Sequence, residues 1–228
     1  MGRYSDAPFR LYAAAHARSA GGVLCIQDTT ELDFNGQQTE GLGTLSFPAQ
    51  RGMYLHPTYA VSPEREPLGV LDAWMWVASK SASRSLPAGA KESCRWLEGY
   101  ARLAEQARLL PETRLVYVAD RESDFLDWMV QASALGTPVD WLIRAAHNRK
   151  LAGQQEKLWD GFTVAHVLGE VRFYLPTRRG QKAREVVQQV SARRCTLQGP
   201  DGQTFGSLLY WHRRQARPMT SSRSSGAC

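Results

Sequence analysis

Val23-Leu24-Cys25-Ile26-Gln27-Asp28-Thr29-Thr30-Glu31-Leu32-Asp33-Phe34 is the stretch that decides how the rest of the chain is read. Its four consecutive apolar residues, β-branched at each end, predict a strand buried on both faces. That strand closes on a carboxylate, Asp28, followed by two hydroxyls. A carboxylate at the C-terminal end of a buried strand sits at the rim of a sheet, where open α/β folds place their ligands. A single such Asp is more often a strand-end cap than a ligand. The pattern returns, however, at Leu115-Val116-Tyr117-Val118-Ala119-Asp120, so a second strand of the same type delivers a second carboxylate.

The 228 residues can form one large domain or one domain plus a fragment of another, and their composition, 43% hydrophobic and 22% charged, suits a soluble globular protein. No run of about 18 apolar residues occurs, the length a membrane-crossing helix needs. Arg3, Asp6, Arg10 and Arg18 interrupt the N-terminal region, which therefore lacks the apolar core of a signal peptide. Cys25, Cys94, Cys195 and Cys228 are scattered, which argues against a zinc site or a disulfide framework. A cytoplasmic location is expected. The net charge of +6 is unevenly spread. Residues 1–140 hold 13 Lys/Arg against 17 Asp/Glu, whereas residues 141–228 hold 15 against 5. Such a basic second part points to a polyanion partner or to a solvated basic surface.

Taken in order, residues 1–20 predict a helix that Ala20-Gly21-Gly22 stops, and the first strand follows. Residues 35–52, rich in Gly, Gln and Thr, read as a loop or hairpin. Met53 to Val61 and Pro67 to Ala78 read as two strands of an antiparallel meander, joined by Glu64, Arg65 and Glu66. After a loop over 79–91, Trp96, Tyr100, Leu103, Ala107 and Leu110 form one helical face, which Pro111 ends. The strand to Asp120 comes next. It is followed by a helix from near Ser123, with Asp124 and Asp127 in its first turns, and a strand Val139 to Arg144. Beyond residue 158 the pattern is short and β-like. Phe162–Leu168 and Glu170–Leu175 are expected to pair around Gly169, and from Gly206 the chain ceases to read as folded.

Three strands, a helix, a strand, a helix and a strand, with Asp ending the first and fourth strands, fit an α/β fold with a ribonuclease-H-like mixed sheet flanked by helices. In that arrangement two carboxylates from neighbouring central strands bind divalent metal for an in-line phosphoryl displacement. Mg2+ or Mn2+ suits such oxygen ligands.

Gln27-Asp28-Thr29-Thr30-Glu31-Leu32-Asp33-Phe34 together with Ala119-Asp120-Arg121-Glu122-Ser123-Asp124 resembles the DDE transposases of bacterial insertion sequences, in the branch with a Tyr-Arg-Glu-Lys signature. The resemblance runs over roughly residues 20–200. It takes in Arg51-Gly52 before the His56 strand, Lys91-Glu92-Ser93 with Arg95-Trp96-Leu97, and Ile143-Arg144 with His147 and Arg149. It implies that Asp28 and Asp120 are the first two metal-binding, catalytic carboxylates. It also implies that Arg144, Arg149 and Lys150 face transposon-end DNA, as phosphate contacts that position without reading bases. Glu122 and Asp124 belong to the start of a helix rather than to the ligand set, and His56 reads as a packed core histidine.

The resemblance divides the chain into a catalytic core over 1–155, a partial β-rich insertion over 156–205 and an aberrant tail over 206–228. The family's third acid, the Glu of Tyr-x-x-Arg-x-x-x-Glu-x-x-x-x-x-x-Lys, has no match here. The Ser/Arg-rich end, with Met219 to Cys228 open to reading in a shifted frame, carries the expectation of a C-terminal truncation by frameshift. Two functions of different class follow. One is a transposase core fragment for DNA transposition, nicking transposon ends and joining them to target DNA, nucleoid-associated and inactive alone. The other is a non-catalytic remnant that binds DNA or interferes with an intact transposase, as a homodimer or by pairing with it. An unrelated metal nuclease of the same fold would need a further acid, for which Glu31, Asp33 and Glu98 are the candidates.

Overall fold

The computed structural model describes residues 22–37, 39–77, 88–160, 166–199 and 201–214, and only the backbone at 88–93 and 207–214. The expected helix over 1–20 and the residues after 214 lie outside the described residues. The chain divides into two compact units between His147 and Asn148.

The first unit is a mixed α/β layer. Its strands are β1 (Val23–Gln27), β2 (Thr30–Asp33), β3 (Gly43–Thr44), β4 (Arg51–Val61), β5 (Pro67–Trp76), β6 (Leu115–Ala119) and β7 (Asp140–Ile143). Its helices are α1 (Ala88–Leu109) and α2 (Leu126–Ala134). All seven strands belong to one sheet. β1 lies antiparallel to β4, which is antiparallel to β5, while on its other side β1 runs parallel to β6 and β6 parallel to β7. The meander expected from Met53 to Ala78 is therefore present as β4 and β5.

β1 and β2 lie along the same edge of β4 in a single register, because Gln27 pairs with Thr58 and Thr30 with Leu55. Carried across the gap, that register sets Asp28 opposite Pro57 and Thr29 opposite His56. Proline has no amide hydrogen to give a ladder. The strand breaks where its partner cannot bond, and it breaks at Asp28. β2 itself was not expected, since Thr-Glu-Leu-Asp lacks the apolar run by which β1 is recognised.

The core lies on one face of the sheet. Rows of neighbouring residues alternate: Ala60, Cys25 and Tyr117 are fully buried side by side, while Tyr59 and Ile26 in the next row are each about 40% exposed. The expectation that β1 is buried on both faces is thus corrected. Among the described residues, α1 and α2 supply their buried side chains to the Cys25 row and leave the Ile26 row partly open. α1 contributes Trp96, Tyr100, Leu103 and Ala104, and α2 contributes Trp128, Met129 and Ala132. The rings of Tyr100, Tyr117 and Trp128 lie with centroids 5.2–5.6 Å apart. The Tyr100 hydroxyl donates to the Val139 carbonyl at 2.8 Å, and Trp128 Nε1 donates to the Ser123 carbonyl at 2.7 Å. Both ring polar atoms are satisfied inside the core, as buried Tyr and Trp require.

The second unit is a three-stranded antiparallel sheet of β8 (His166–Leu175), β9 (Arg184–Gln198) and β10 (Thr204–Arg214), with β9 in the middle. Three expectations change here. Gly169 is not a hairpin turn: β8 runs through it, and the pairing with β9 shifts between Val167 and Gly169, so the glycine marks a β-bulge. Residues 206–214 do not belong to an irregular tail, since their backbone pairs with β9 as far as Arg214 opposite Gln188. The boundary also falls earlier than residue 155. Leu151 bridges to Leu197, and Leu151, Leu158, Val186, Cys195, Leu197 and Phe205 make the small apolar core of this unit.

Candidate functional site

The parallel half of the first sheet ends in step. Gln27 on β1 pairs with Ala119 on β6, and Ala119 pairs with Ile143 on β7. Each strand then yields one charged residue immediately past its end: Asp28, Asp120 and Arg144, all exposed. Neighbouring strands lie about 4.8 Å apart, so the three positions share one short stretch of rim. The Arg144 amide donates to the Ala119 carbonyl at 3.3 Å, which ties the β7 exit to the residue before Asp120.

Each Asp has a local task. Asp28 Oδ1 accepts the Thr29 amide at 2.8 Å. Asp120 caps the 3-10 turn Arg121–Ser123, its Oδ1 accepting the Glu122 amide at 2.7 Å. Capping explains why an acceptor stands at Asp120, and the bond to the next residue's amide holds Asp28. Both bonds use Oδ1, and the second oxygen of each carboxylate has no hydrogen bond among the described residues. Capping does not explain why two such residues arrive at the same level on adjacent strands.

Arg144, Arg149 and Lys150 fall in different compact units. Arg144 ends the first unit's sheet, whereas Arg149 and Lys150 belong to the second unit, where the Arg149 carbonyl accepts the Leu158 amide at 2.7 Å. Asp124 also departs from expectation. α2 begins only at Leu126, so Asp124 is not in its first turn. It is buried, and its Oδ2 accepts the amides of Ala146 at 2.6 Å and His147 at 3.0 Å. This carboxylate holds the loop after β7 against the loop after β6.

The acids considered for an unrelated nuclease are engaged elsewhere. Hydrogen bonds from the Ser46 hydroxyl and amide hold Glu31 below the usual carboxylate range. Asp33 accepts from the Asn35 amide and Gln50 Nε2, and Glu98 pairs with Arg102 at 2.7 Å. No group of three or more His, Cys, Asp or Glu that could hold a metal occurs among the described residues. Cys25 is no nucleophile, since burial pushes its thiol up to about 12.

Sequence reasoning placed His56 in the core but missed what it joins. Gln27 Nε2 donates to Thr58 Oγ1 at 2.8 Å and to the Gly99 carbonyl at 3.2 Å. A carbonyl only accepts, so the Gln27 amide nitrogen must face it, and Oε1 is left for His56 Nε2 at 3.1 Å. His56 therefore carries its proton on Nε2, and in the neutral ring Nδ1 accepts from the Thr29 hydroxyl at 2.9 Å. Burial first, and then the Arg95 charge, push His56 from 6.5 down to about 4, against a smaller opposing effect of Asp72.

A pH dependence follows. Above about pH 6.5 His56 is neutral in both the folded and the unfolded chain and costs nothing. As pH falls, the unfolded chain takes a proton that the folded one refuses down to about 4. Stability is therefore expected to fall between these values by up to about 3 kcal/mol. Urea midpoints measured from pH 7.5 to 4.5 for wild type and His56→Gln test this. The wild type should lose more stability on acidification, and parallel profiles would sink the idea.

No protein-family model and no curated protein matches this chain.

Proposed function

We propose that this chain is a transposase core fragment of ribonuclease-H-like type. In this reading the rim binds Mg2+ or Mn2+ through Asp28 and Asp120 and DNA phosphate through Arg144. The observation that carries the reading is the register: Gln27, Ala119 and Ile143 lie side by side, so two carboxylates and a guanidinium leave three neighbouring parallel strands together. The donor set fits a hard divalent cation, which takes carboxylate oxygens and completes its shell with water and substrate phosphate. When bound, such an ion activates water and neutralises charge on a phosphodiester. The chain's own residues hold and orient: each Asp offers the oxygen that its bond to a backbone amide does not use, and Arg144 offers a planar fork suited to a phosphate. The path β5-β4-β1-β6-β7, antiparallel on one side of β1 and parallel on the other, supports the ribonuclease-H-like assignment. The charge of residues 141–228 supports DNA as the polyanion.

The 228 residues supply two of the three acids that the resemblance calls for, and no third joins them among the described residues. That observation favours, as a second reading, a chain that binds DNA without cutting it. One experiment tests both the DNA binding and the lack of cutting. Plasmid nicking and duplex retention are measured with Mn2+ for wild type and for the Asp28→Ala, Asp120→Ala double variant. DNA retention with no nicking above the double variant is the expected result. Nicking that the double variant loses would overturn the inactive assignment, and absence of both nicking and retention would overturn the transposase reading. Arg144→Gln is expected to weaken retention and to reduce the salt dependence by about one counterion.

A further inference from the structure

We infer that Thr29, His56 and Gln27 form a positioning chain that fixes the Asp28 carboxylate for cation binding, an inference that rests on the two-carboxylate reading above. Asp28 needs such a device because of where the strand breaks. Opposite Pro57 its carbonyl has no ladder hydrogen to receive, so β4 does not hold the backbone on that side of the residue that must present its carboxylate. Its neighbours take over. On one side Gln27 is buried and bonded to Thr58, Gly99 and His56. On the other, the Thr29 hydroxyl bonds His56 Nδ1 while the Thr29 amide bonds Asp28 Oδ1.

These bonds form one directed path. The Gly99 carbonyl accepts from Gln27, Gln27 accepts from His56, His56 accepts from Thr29, and the amide of Thr29 donates to Asp28. A buried histidine needs partners in any protein, and satisfying it would explain the Gln27 bond alone. It does not explain why the other ring nitrogen is spent on the one residue whose amide orients Asp28. Thr29 touches neither cation nor substrate in this scheme. It is a positioning residue, and groups of that kind typically change metal affinity about 10- to 100-fold when removed.

The test uses Mn2+ alone as the probe, titrated by electron paramagnetic resonance, with thermal midpoints taken in metal-free buffer. The variants are Thr29→Val, which keeps the shape and removes the hydroxyl, Thr29→Ser, which keeps the hydroxyl, and Asp28→Asn. Thr29→Val is expected to bind Mn2+ about tenfold more weakly, with Thr29→Ser close to wild type. Should Thr29→Val fail to melt cooperatively, Thr29→Ala carries the same comparison. If Asp28→Asn loses binding while the folded Val or Ala variant binds like wild type, the positioning role is wrong and the two-carboxylate reading stands. If Asp28→Asn binds like wild type, that reading fails and the positioning role fails with it. A Ser variant as weak as Val would also overturn the inference, since the hydroxyl would then not be what matters.

Discussion

Gly99→Ala is expected to destabilise the protein by about 2 to 3 kcal/mol, although the same change in an exposed helix interior stabilises by about 1 kcal/mol. The sign reverses because of what α1 lies against. A Cβ at position 99 would overlap Gln27 Oε1 and meet Gln27 Cδ at 3.1 Å and His56 Nε2 at 3.3 Å. Gln27 cannot swing away without giving up its bonds to Thr58, His56 and the Gly99 carbonyl, and each buried group left unpaired costs about 1 to 3 kcal/mol. A fall of about 8 °C in the thermal midpoint is the expected reading for a domain of this size. Adding Gln27→Ala removes the obstructing amide, so the double variant should lose much less than the two single losses combined. Strict additivity would mean that α1 does not close on Gln27. The glycine is where the helix comes close enough to close the buried network, and its effect should therefore appear in Mn2+ binding as well as in stability.

The site was legible wherever one strand's own composition carries the information. Apolar runs ending in Asp28 and Asp120 identify two strands and their ends to within a residue, and Arg144 follows from the same kind of run. What no single strand contains is the register between strands, and register is what turns three strand ends into one rim. The resemblance groups Arg149 and Lys150 with Arg144 as one basic segment after a strand. Arg149 and Lys150 belong to the second unit with the buried Leu151 and Leu158, and no local signal marks that boundary. Gly169 shows a different limit: a lone glycine between β-like runs reads equally as a turn or a bulge, and only its pairing with β9 decides. The Gln27–His56 bond joins residues 29 apart in sequence through two polar side chains on strands. Hydrophobic patterning is blind to such a pair. Pro57, in the middle of a strand, is the one signal that pointed to an irregularity in β4 or beside it.

Asp124→Ala is expected to cost about 3 kcal/mol and to weaken DNA retention, and the second effect has the diagnostic sign. The Asp124 carboxylate is 3% exposed and accepts two backbone amides from the loop that follows β7. Truncation leaves the Ala146 and His147 amides without this acceptor, and hydrogen bonds to a charged group are worth about 1.5 to 3 kcal/mol each. Asp124→Asn keeps one acceptor oxygen and should lose only about a third as much. Hydrogen exchange at Ala146 and His147 should accelerate most, ahead of amides in β1 or β6, because the loop is released before the sheet. Charge alone makes the opposite statement about DNA. Removing a negative side chain close to a phosphate-binding rim should tighten binding, as losing any acidic neighbour would. If instead Asp124 acts by holding the β7 exit, and with it Arg144, against the Asp120 loop, the variant should bind DNA about fivefold more weakly, roughly 1 kcal/mol. Comparison at one salt concentration of wild type, Asp124→Ala and Arg144→Gln decides the matter. Weaker binding in Asp124→Ala, with little further loss when Arg144→Gln is added, places Asp124 and Arg144 in one unit of function. Tighter binding would show that the buried carboxylate is a fold element alone, and that the position of Arg144 on the rim does not depend on it.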